Sequence, residues 1–321
     1  MRAVILAAGF GTRLWPLTED RTKPAIPFLN RPLITFSVEY LAAHGIRDLI
    51  VNLHHQPDSI RNALGDGSRL GVSIHYSYEE EILGTSGALD RVRELLLDDD
   101  FVVINGKIVT DIDLTAAIDK HRESRALATL VLRENAYRQH FSMVEVDGRG
   151  HISRFAGFPE ASNDDSKTHV APLMFTGIQV LSPAIFEYIP RSRYSHSVTD
   201  VYPRAMEAGE TVIAHIAPGL WHELSTLSRY LEVSLLFCQK QGLSLVSGEG
   251  CVIEDDALIE RSVLWRQVTV ERGARVRECI VADGVRIPAG AVFERVAIVR
   301  RDIVHEVERG EIAGENIIVP L

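Results

Sequence analysis

Apolar residues run unbroken from Ala3 to Ala8 and stop at Gly9, which predicts a short buried strand at the head of the chain. From Leu33 to His44 the apolar positions Ile34, Val38, Leu41 and Ala42 fall at helical spacing, and Gly45 supplies a C-terminal stop. Asp48 to Leu53 reads as a second strand and Pro57 to Leu64 as a short helix. This strand–helix–strand alternation predicts parallel strands joined by right-handed crossovers, with ligands beyond the carboxyl ends of the strands. Further strands are predicted from Phe101 to Ile104, Ala128 to Leu132, Met143 to Val146, His151 to Phe155 and Leu173 to Leu181. Helices are predicted up to Leu95, from Leu114, from Ser197 to Ala208 and from Leu227 to Lys240.

Past a linker from Gly242 to Gly250 the pattern changes. Ile253, Ile259 and Leu264 form an apolar triplet that returns 17 residues later as Val270, Val276 and Val281, and again as Ile287, Phe293 and Ile298. Ala257, Ala274 and Ala291 keep the same register, as do Gly273 and Gly290. Apolar positions recurring in this way build a β-helix in which each residue stacks on its counterpart one coil away. No histidine lies between His222 and His305 to act as a base, so the coils read as structural or oligomerising rather than as an acyl transferase. Residues 301–321 read as a strand or arm that covers an exposed coil edge. The expected domains are therefore an α/β domain over 1–241, a β-helix over 246–300 and a C-terminal arm over 301–321.

At 321 residues with 46% hydrophobic content, the chain can bury a large core and a smaller one. A net charge of −10 excludes a non-specific nucleic-acid binder, and any anionic substrate must be met by local cations. Cys238, Cys251 and Cys279 are sparse and have no metal-ligand spacing, which points to a reducing cytoplasm. The apolar N-terminus is short and lacks a small-residue cleavage site, and no apolar run reaches membrane-spanning length. A soluble cytoplasmic protein without membrane or nucleic-acid partners is expected.

The candidate chemistry starts at the loop after the first strand, Gly9-Phe-Gly-Thr-Arg-Leu-Trp-Pro-Leu-Thr18, followed by Lys23-Pro24. Gly9 and Gly11 let backbone amides approach a ligand, while Thr12, Arg13 and Lys23 add a hydroxyl, a planar guanidinium and a compact ammonium. Amides with two cations suit a polyphosphate. The loop has neither the Gly-Lys-Ser/Thr ending of a P-loop nor the glycine spacing of a dinucleotide fold. It resembles the N-terminal motif of sugar-1-phosphate nucleotidyltransferases, which make NDP-sugars and pyrophosphate from an NTP and a sugar 1-phosphate. Asn52-Leu-His-His55 looks like the strand end of the mannose-1-phosphate guanylyltransferase-like members; its histidines read as polar strand-end residues rather than metal ligands.

That resemblance implies a Rossmann-like mixed sheet followed by a left-handed hexapeptide β-helix, and self-association through the β-helix. It assigns Leu6, Ala8, Gly9, Gly11 and Thr12 to the nucleotide, Arg13 to the leaving pyrophosphate and Lys23 to the phosphates near the attacked phosphorus. Glu81-Ile-Leu-Gly84 resembles the second nucleotide motif, with Gly84 against the nucleotide and Glu81 beside the base, where a carboxylate could accept both donors of a guanine edge. The plainer reading is a solvated edge, with Thr85 or Ser86 capping the next helix. Asn105, Gly106 and Gly177 fall at sugar-binding positions, although Gly177 also reads as a bulge in a buried strand.

Three positions depart from the family pattern. Lys107 stands where an aspartate holds magnesium (Mg2+), and an ammonium cannot coordinate a metal; either other groups hold the metal, or Lys107 is catalytic through a charge that partly stands in for it, or catalysis is lost. Phe155-Ala-Gly157-Phe158-Pro159 lacks the charged pair that grips the sugar phosphate, and a polar loop follows to His169. Glu223 replaces the second metal aspartate, either as a metal ligand or in an ion pair with Lys107. Asp111 is a further candidate ligand, or else the cap of the helix from Leu114. These departures leave a second possibility beside the enzyme: a nucleotide-sugar-binding regulatory paralogue with little turnover.

Overall fold

The computed structural model describes residues 1–135, 143–156, 172–243 and 245–321. The chain forms two compact units, one of Met1–Ala8, Ser37–His54 and Leu64–Trp221, the other of Gly9–Phe36, His55–Ala63 and His222–Leu321.

The first unit is built on a mixed sheet of, among the described residues, nine strands. They are β1 (Arg2–Leu6), β2 (Asp48–Leu53), β3 (Ser73–Tyr78), β4 (Phe101–Asn105), β5 (Ala128–Glu134), β6 (Met143–Val146), β7 (Ile152–Phe155), β8 (Leu173–Leu181) and β9 (Val212–Ile216). β1 lies parallel between β4 and β2, and β3 extends the parallel set at the edge. β8 runs antiparallel to β4, β5 and β6. The expected Rossmann-like mixed sheet is thus observed. β1, β2 and β4 are nearly continuous apolar runs with buried centres, as befits strands covered on both faces. β3 alternates between exposed and partly buried residues, which is why no apolar run announces it. The core joins Val4, Ile50, Val103 and Leu130 to Phe155, whose ring stacks on Tyr202 at 5.9 Å.

The helices are α1 (Leu33–Ala43), α2 (Pro57–Leu64), α3 (Gly84–Arg91), α4 (Leu114–Ser124), α5 (Tyr202–Glu207) and α6 (Leu227–Lys240). Three local expectations need correction. The helix expected up to Leu95 ends at Arg91 and is followed by a tighter turn, Arg93–Leu95. Residues 197–208 divide into a wide turn, Ser197–Val201, and α5, whose Pro203 has no amide to continue the earlier ladder. The cap of α4 is Asp113, whose carboxylate accepts from the Ala116 amide, and not Asp111.

The second unit contains the repeat. Ile253 pairs in register with Val270 and Val270 with Ile287; Ile259, Val276 and Phe293 stack likewise, as do Leu264, Val281 and Ile298. The three apolar columns read from the sequence therefore stack along three ladders of parallel strands, consistent with a left-handed β-helix; Val270, Ile287, Leu264, Val281 and Ile298 are buried, and Ile253 in the first coil is half exposed. The arm returns as strand Asn316–Pro320, antiparallel to Val296–Arg300, and covers that edge as expected. The same unit includes the segment Gly9–Phe36, tied to the coils by polar contacts. Arg21 lies over the Trp265 ring at 5.1 Å and pairs with Asp283 at 2.8 Å, and Asn30 Nδ2 donates to the Ser247 carbonyl at 2.6 Å. Buried Trp265 donates its indole N–H to the Tyr230 hydroxyl at 2.9 Å, joining α6 to the coils.

Candidate functional site

In the first unit the candidate residues gather at the carboxyl ends of the parallel strands. Chain order reverses between β1 and β4, the place where open α/β sheets take ligands. The Gly106 amide donates to the Leu6 carbonyl at 3.0 Å, so a nucleotide candidate and a sugar candidate are joined by backbone. Gly177 takes φ +78°, and a Cβ there would collide with the Asn105 side chain. Asn105 and Gly177 are thus adjacent, and the glycine is required by that close approach. The register of β8 on β5 also shifts between Phe175 and Gln179, so the bulge reading of Gly177 holds as well.

A buried polar chain crosses the same strand ends. Asn52 Oδ1 accepts from the Ala7 amide at 2.6 Å, and Asn52 Nδ2 donates to Glu79 Oε1 at 2.7 Å. Glu79 Oε2 accepts from the Leu83 amide at 2.9 Å, and His54 Nδ1 lies 2.9 Å from the Glu79 carbonyl. Glu79 is 0% exposed, whereas Glu81 faces solvent. Of three consecutive glutamates, the one that organises the strand ends is two residues before the one singled out from the sequence. Its carboxyl group is satisfied internally, as a buried polar group must be.

Gly84 opens α3 at φ +76°, where a Cβ would strike the Ser195 carbonyl. Thr85 and Ser86 do not cap α3. Thr85 Oγ1 accepts from the Ser197 amide at 2.9 Å, and Ser86 Oγ donates to Ser195 Oγ at 2.9 Å. Asp111 is exposed and its carboxylate accepts from the Leu220 amide. Lys107 follows β4 in a turn and is partly buried. The departure at Gly157-Phe158 and the loop to His169 lie outside the described residues.

The second unit carries the cationic loop. Gly11 adopts φ +72°, and a Cβ there would sit 3.0 Å from Lys23 Cβ and 3.1 Å from Thr18 Cγ2. Glycine is what lets the two ends of the motif close on each other. Thr12–Leu14 forms a single tight turn, with the Leu14 amide on the Gly11 carbonyl at 2.8 Å and the Trp15 amide on the Thr12 carbonyl at 3.1 Å. Leu14, Trp15 and Leu17 are buried, while Gly9, Thr12 and Arg13 remain exposed. Apolar anchors therefore fix the loop and leave its polar groups presented.

Lys23 is only 7% exposed, and its Nζ lies 3.7 Å from Glu223 Oε1. Arg13 Nη2 is 3.8 Å from the same oxygen, although 65% of the Arg13 side chain is exposed. One buried carboxylate thus faces two cations from the motif. At these separations the contacts are electrostatic rather than tight hydrogen bonds, and the exposed one adds little stability. Further along the loop burial disfavours charge on both Asp20 and Arg21, yet their mutual hydrogen bonds win; the Asp20 carboxyl is held below its usual range and Arg21 is raised.

The donor set bears on a metal. Among the described residues no three His, Cys, Asp or Glu side chains form a cluster that could hold one. Asp111 is engaged by a backbone amide, Glu223 faces two cations, and Lys107 offers no lone pair when charged. Neither the first unit's Asp111 and Lys107 nor the second unit's Glu223 fits, by itself, a metal held by protein ligands alone.

Comparison with known proteins adds the family. Residues 2–240 match the nucleotidyl transferase family, and residues 239–317 match the GlmU-like C-terminal hexapeptide family. A UTP–glucose-1-phosphate uridylyltransferase of Synechocystis sp. is 35% identical over 222 residues, covering 65% of this chain and 56% of that protein. A mannose-1-phosphate guanylyltransferase of Mycobacterium tuberculosis is 30% identical over 91% of this chain and 83% of its own length. Mannose-1-phosphate guanylyltransferase 1 of Arabidopsis thaliana is 28% identical over 99% of this chain and 92% of its own. A solved Bacillus anthracis structure, described as a proposed glucose-1-phosphate thymidylyltransferase, superposes with a TM-score of 0.63 at 22% identity, over 74% of this chain and 94% of that one, and shares the fold.

Proposed function

This chain belongs to the nucleotidyl transferase family and transfers a nucleotidyl group from an NTP to a sugar 1-phosphate; we propose that the NTP is GTP and the sugar mannose. The guanylyltransferases match over 91% and 99% of this chain, whereas the uridylyltransferase matches over 65%. The observation that carries the site reading is the pair of cations, Arg13 and Lys23, facing Glu223 in the glycine loop.

An oxygen of the sugar 1-phosphate attacks the α-phosphorus in line. A new P–O bond forms, the bond from the α-phosphorus to the bridging oxygen breaks, and pyrophosphate leaves with that oxygen. Reactions of this kind are accelerated by positioning and by neutralising charge. Amides of Gly9 to Thr12 hold the triphosphate, Arg13 takes the departing pyrophosphate and Lys23 the charge near the α-phosphorus. Without nucleotide, Glu223 faces both cations, and phosphate oxygens then compete with its carboxylate for them. Glu81 takes the guanine edge, since Glu79 is already satisfied. Asn105, Gly106 and Gly177 receive the hexose.

The family uses a divalent metal such as Mg2+. Mg2+ keeps waters and substrate phosphates as ligands when it binds a triphosphate. Lys107 supplies a positive charge on the protein side.

No helix among the described residues is long and apolar enough to cross a membrane, and all three cysteines are free, which supports a cytoplasmic setting. The first coil leaves Val252, Ile253 and Leu258 about half exposed, which supports self-association through the β-helix.

Pyrophosphate release should be assayed across the five common NTPs and several hexose 1-phosphates, with and without Mg2+. GTP with mannose 1-phosphate is expected to react fastest, and Lys107→Asp to lower that rate. Activity in Lys107→Asp alone would make the natural chain a binding protein, and release from no pair of substrates would overturn the reading.

A further inference from the structure

The C-terminal arm does more than cover a coil edge. After Val296–Arg300 the chain turns through Arg301–Ile303, leaves the coils, and returns as Glu311–Ala313 and Asn316–Pro320. Both ends of this excursion are fixed. The Arg301 amide donates to the Glu315 carbonyl at 2.8 Å, and Val296 to Arg300 pair residue by residue with Pro320 to Asn316.

The tip of the excursion reaches the nucleotide loop of the same unit. Arg309 Nη2 donates to the Trp15 carbonyl at 2.7 Å, and its guanidinium lies 5.9 Å from the centre of the Trp15 ring. Four residues before it, the His305 amide donates to Glu19 Oε1 at 3.2 Å, while the Trp15 indole donates to Glu19 Oε2 at 2.8 Å. One carboxylate therefore ties the arm to the indole, and one guanidinium ties the arm to the backbone beside it. The Trp15 amide in turn closes the turn Thr12–Leu14 by donating to the Thr12 carbonyl, and Arg13 lies inside that turn. A contact 294 residues away in sequence thus bears on the loop two residues from Arg13.

We infer that the arm from His305 to Arg309 is a positioning element for the nucleotide loop, and that Arg309 is the positioning residue through which it acts. Arg309 touches no reacting atom; it fixes Trp15, and Trp15 fixes the turn that aims Arg13 and the Gly11–Thr12 amides. Loosening it misplaces the triphosphate and leaves the sugar candidates Asn105 and Gly177 as they are. The inference rests on the reading of this loop as the triphosphate site.

The test is Arg309→Ala, followed by steady-state kinetics and by amide hydrogen exchange of the segment from Gly9 to Glu19 in the protein without nucleotide. A charge-assisted hydrogen bond is lost, so KM for the NTP is expected to rise about tenfold while KM for the sugar 1-phosphate stays within about twofold. Exchange of the loop amides is expected to quicken in the same variant. Arg309→Gln is uncharged but can still donate to the Trp15 carbonyl, and it should recover part of the lost affinity. Equal losses in Arg309→Gln and Arg309→Ala with unchanged loop exchange would overturn the inference, because Arg309 would then act only through its charge. Quickened exchange with an unchanged KM for NTP would overturn it too, as a contact that steadies the loop without serving substrate. A wild-type chain that takes no NTP would instead defeat the functional reading, and the exchange comparison, which needs no nucleotide, would still decide whether the arm holds the loop.

Discussion

The hexapeptide coils and the glycine loop belong to the same compact unit and are held in opposite ways. In the coils, order is collective. Each apolar residue sits over another of the same kind, and Leu264, Val281 and Ile298 are all fully buried in one column. In the loop, order comes from single residues that cannot be exchanged: a glycine at φ +72°, a buried lysine and a tryptophan pinned by an arm. The coils store stability and the loop presents charge. Changes in the coils should therefore be read in melting curves, and changes at the loop's presented groups in kinetics.

Arg13→Ala gives the largest expected effect on the loop side. Removing a cation that meets charge developing in the transition state should lower kcat/KM by about 10²–10³-fold. Because Arg13 is 65% exposed and its pair with Glu223 is long, the melting temperature should not move. A variant that loses stability along with activity would break the contrast. Leu264→Ala is the counterpart in the coils. It opens a cavity in a fully buried column and should cost about 2–5 kcal/mol of stability, seen as a lower urea midpoint, with KM for both substrates unchanged. A raised KM there would show that the coils bear on substrate directly. Arg309→Ala falls below both and lies between the two regions, since it belongs to the arm of the coils yet should be felt in KM for the NTP.

The same contrast explains what was legible in the sequence. The repeat announces itself because every coil restates the register, so Ile253, Val270 and Ile287 could be paired before any coordinates. The loop was legible because its motif is dense in special residues. The strand Ser73–Tyr78 was not, because an edge strand with polar alternation carries no apolar run. Sequence alone does not tell Glu79 from Glu81, because three adjacent glutamates look alike until Asn52, far away in sequence, selects one of them. The cap of α4 slipped from Asp111 to Asp113 for a related reason, since two aspartates at a helix start differ only in where the first turn closes. The contact of Arg309 with Trp15 has no local signature at all.

Every role given to the loop depends on its taking a triphosphate. Calorimetric titration of the purified chain with GTP and the other NTPs tests this most directly, with Lys23→Ala titrated beside it. Saturable binding of an NTP to the natural chain, lost in a folded Lys23→Ala protein, is the predicted result. Heat from no NTP, or equal binding by the two proteins, would contradict it.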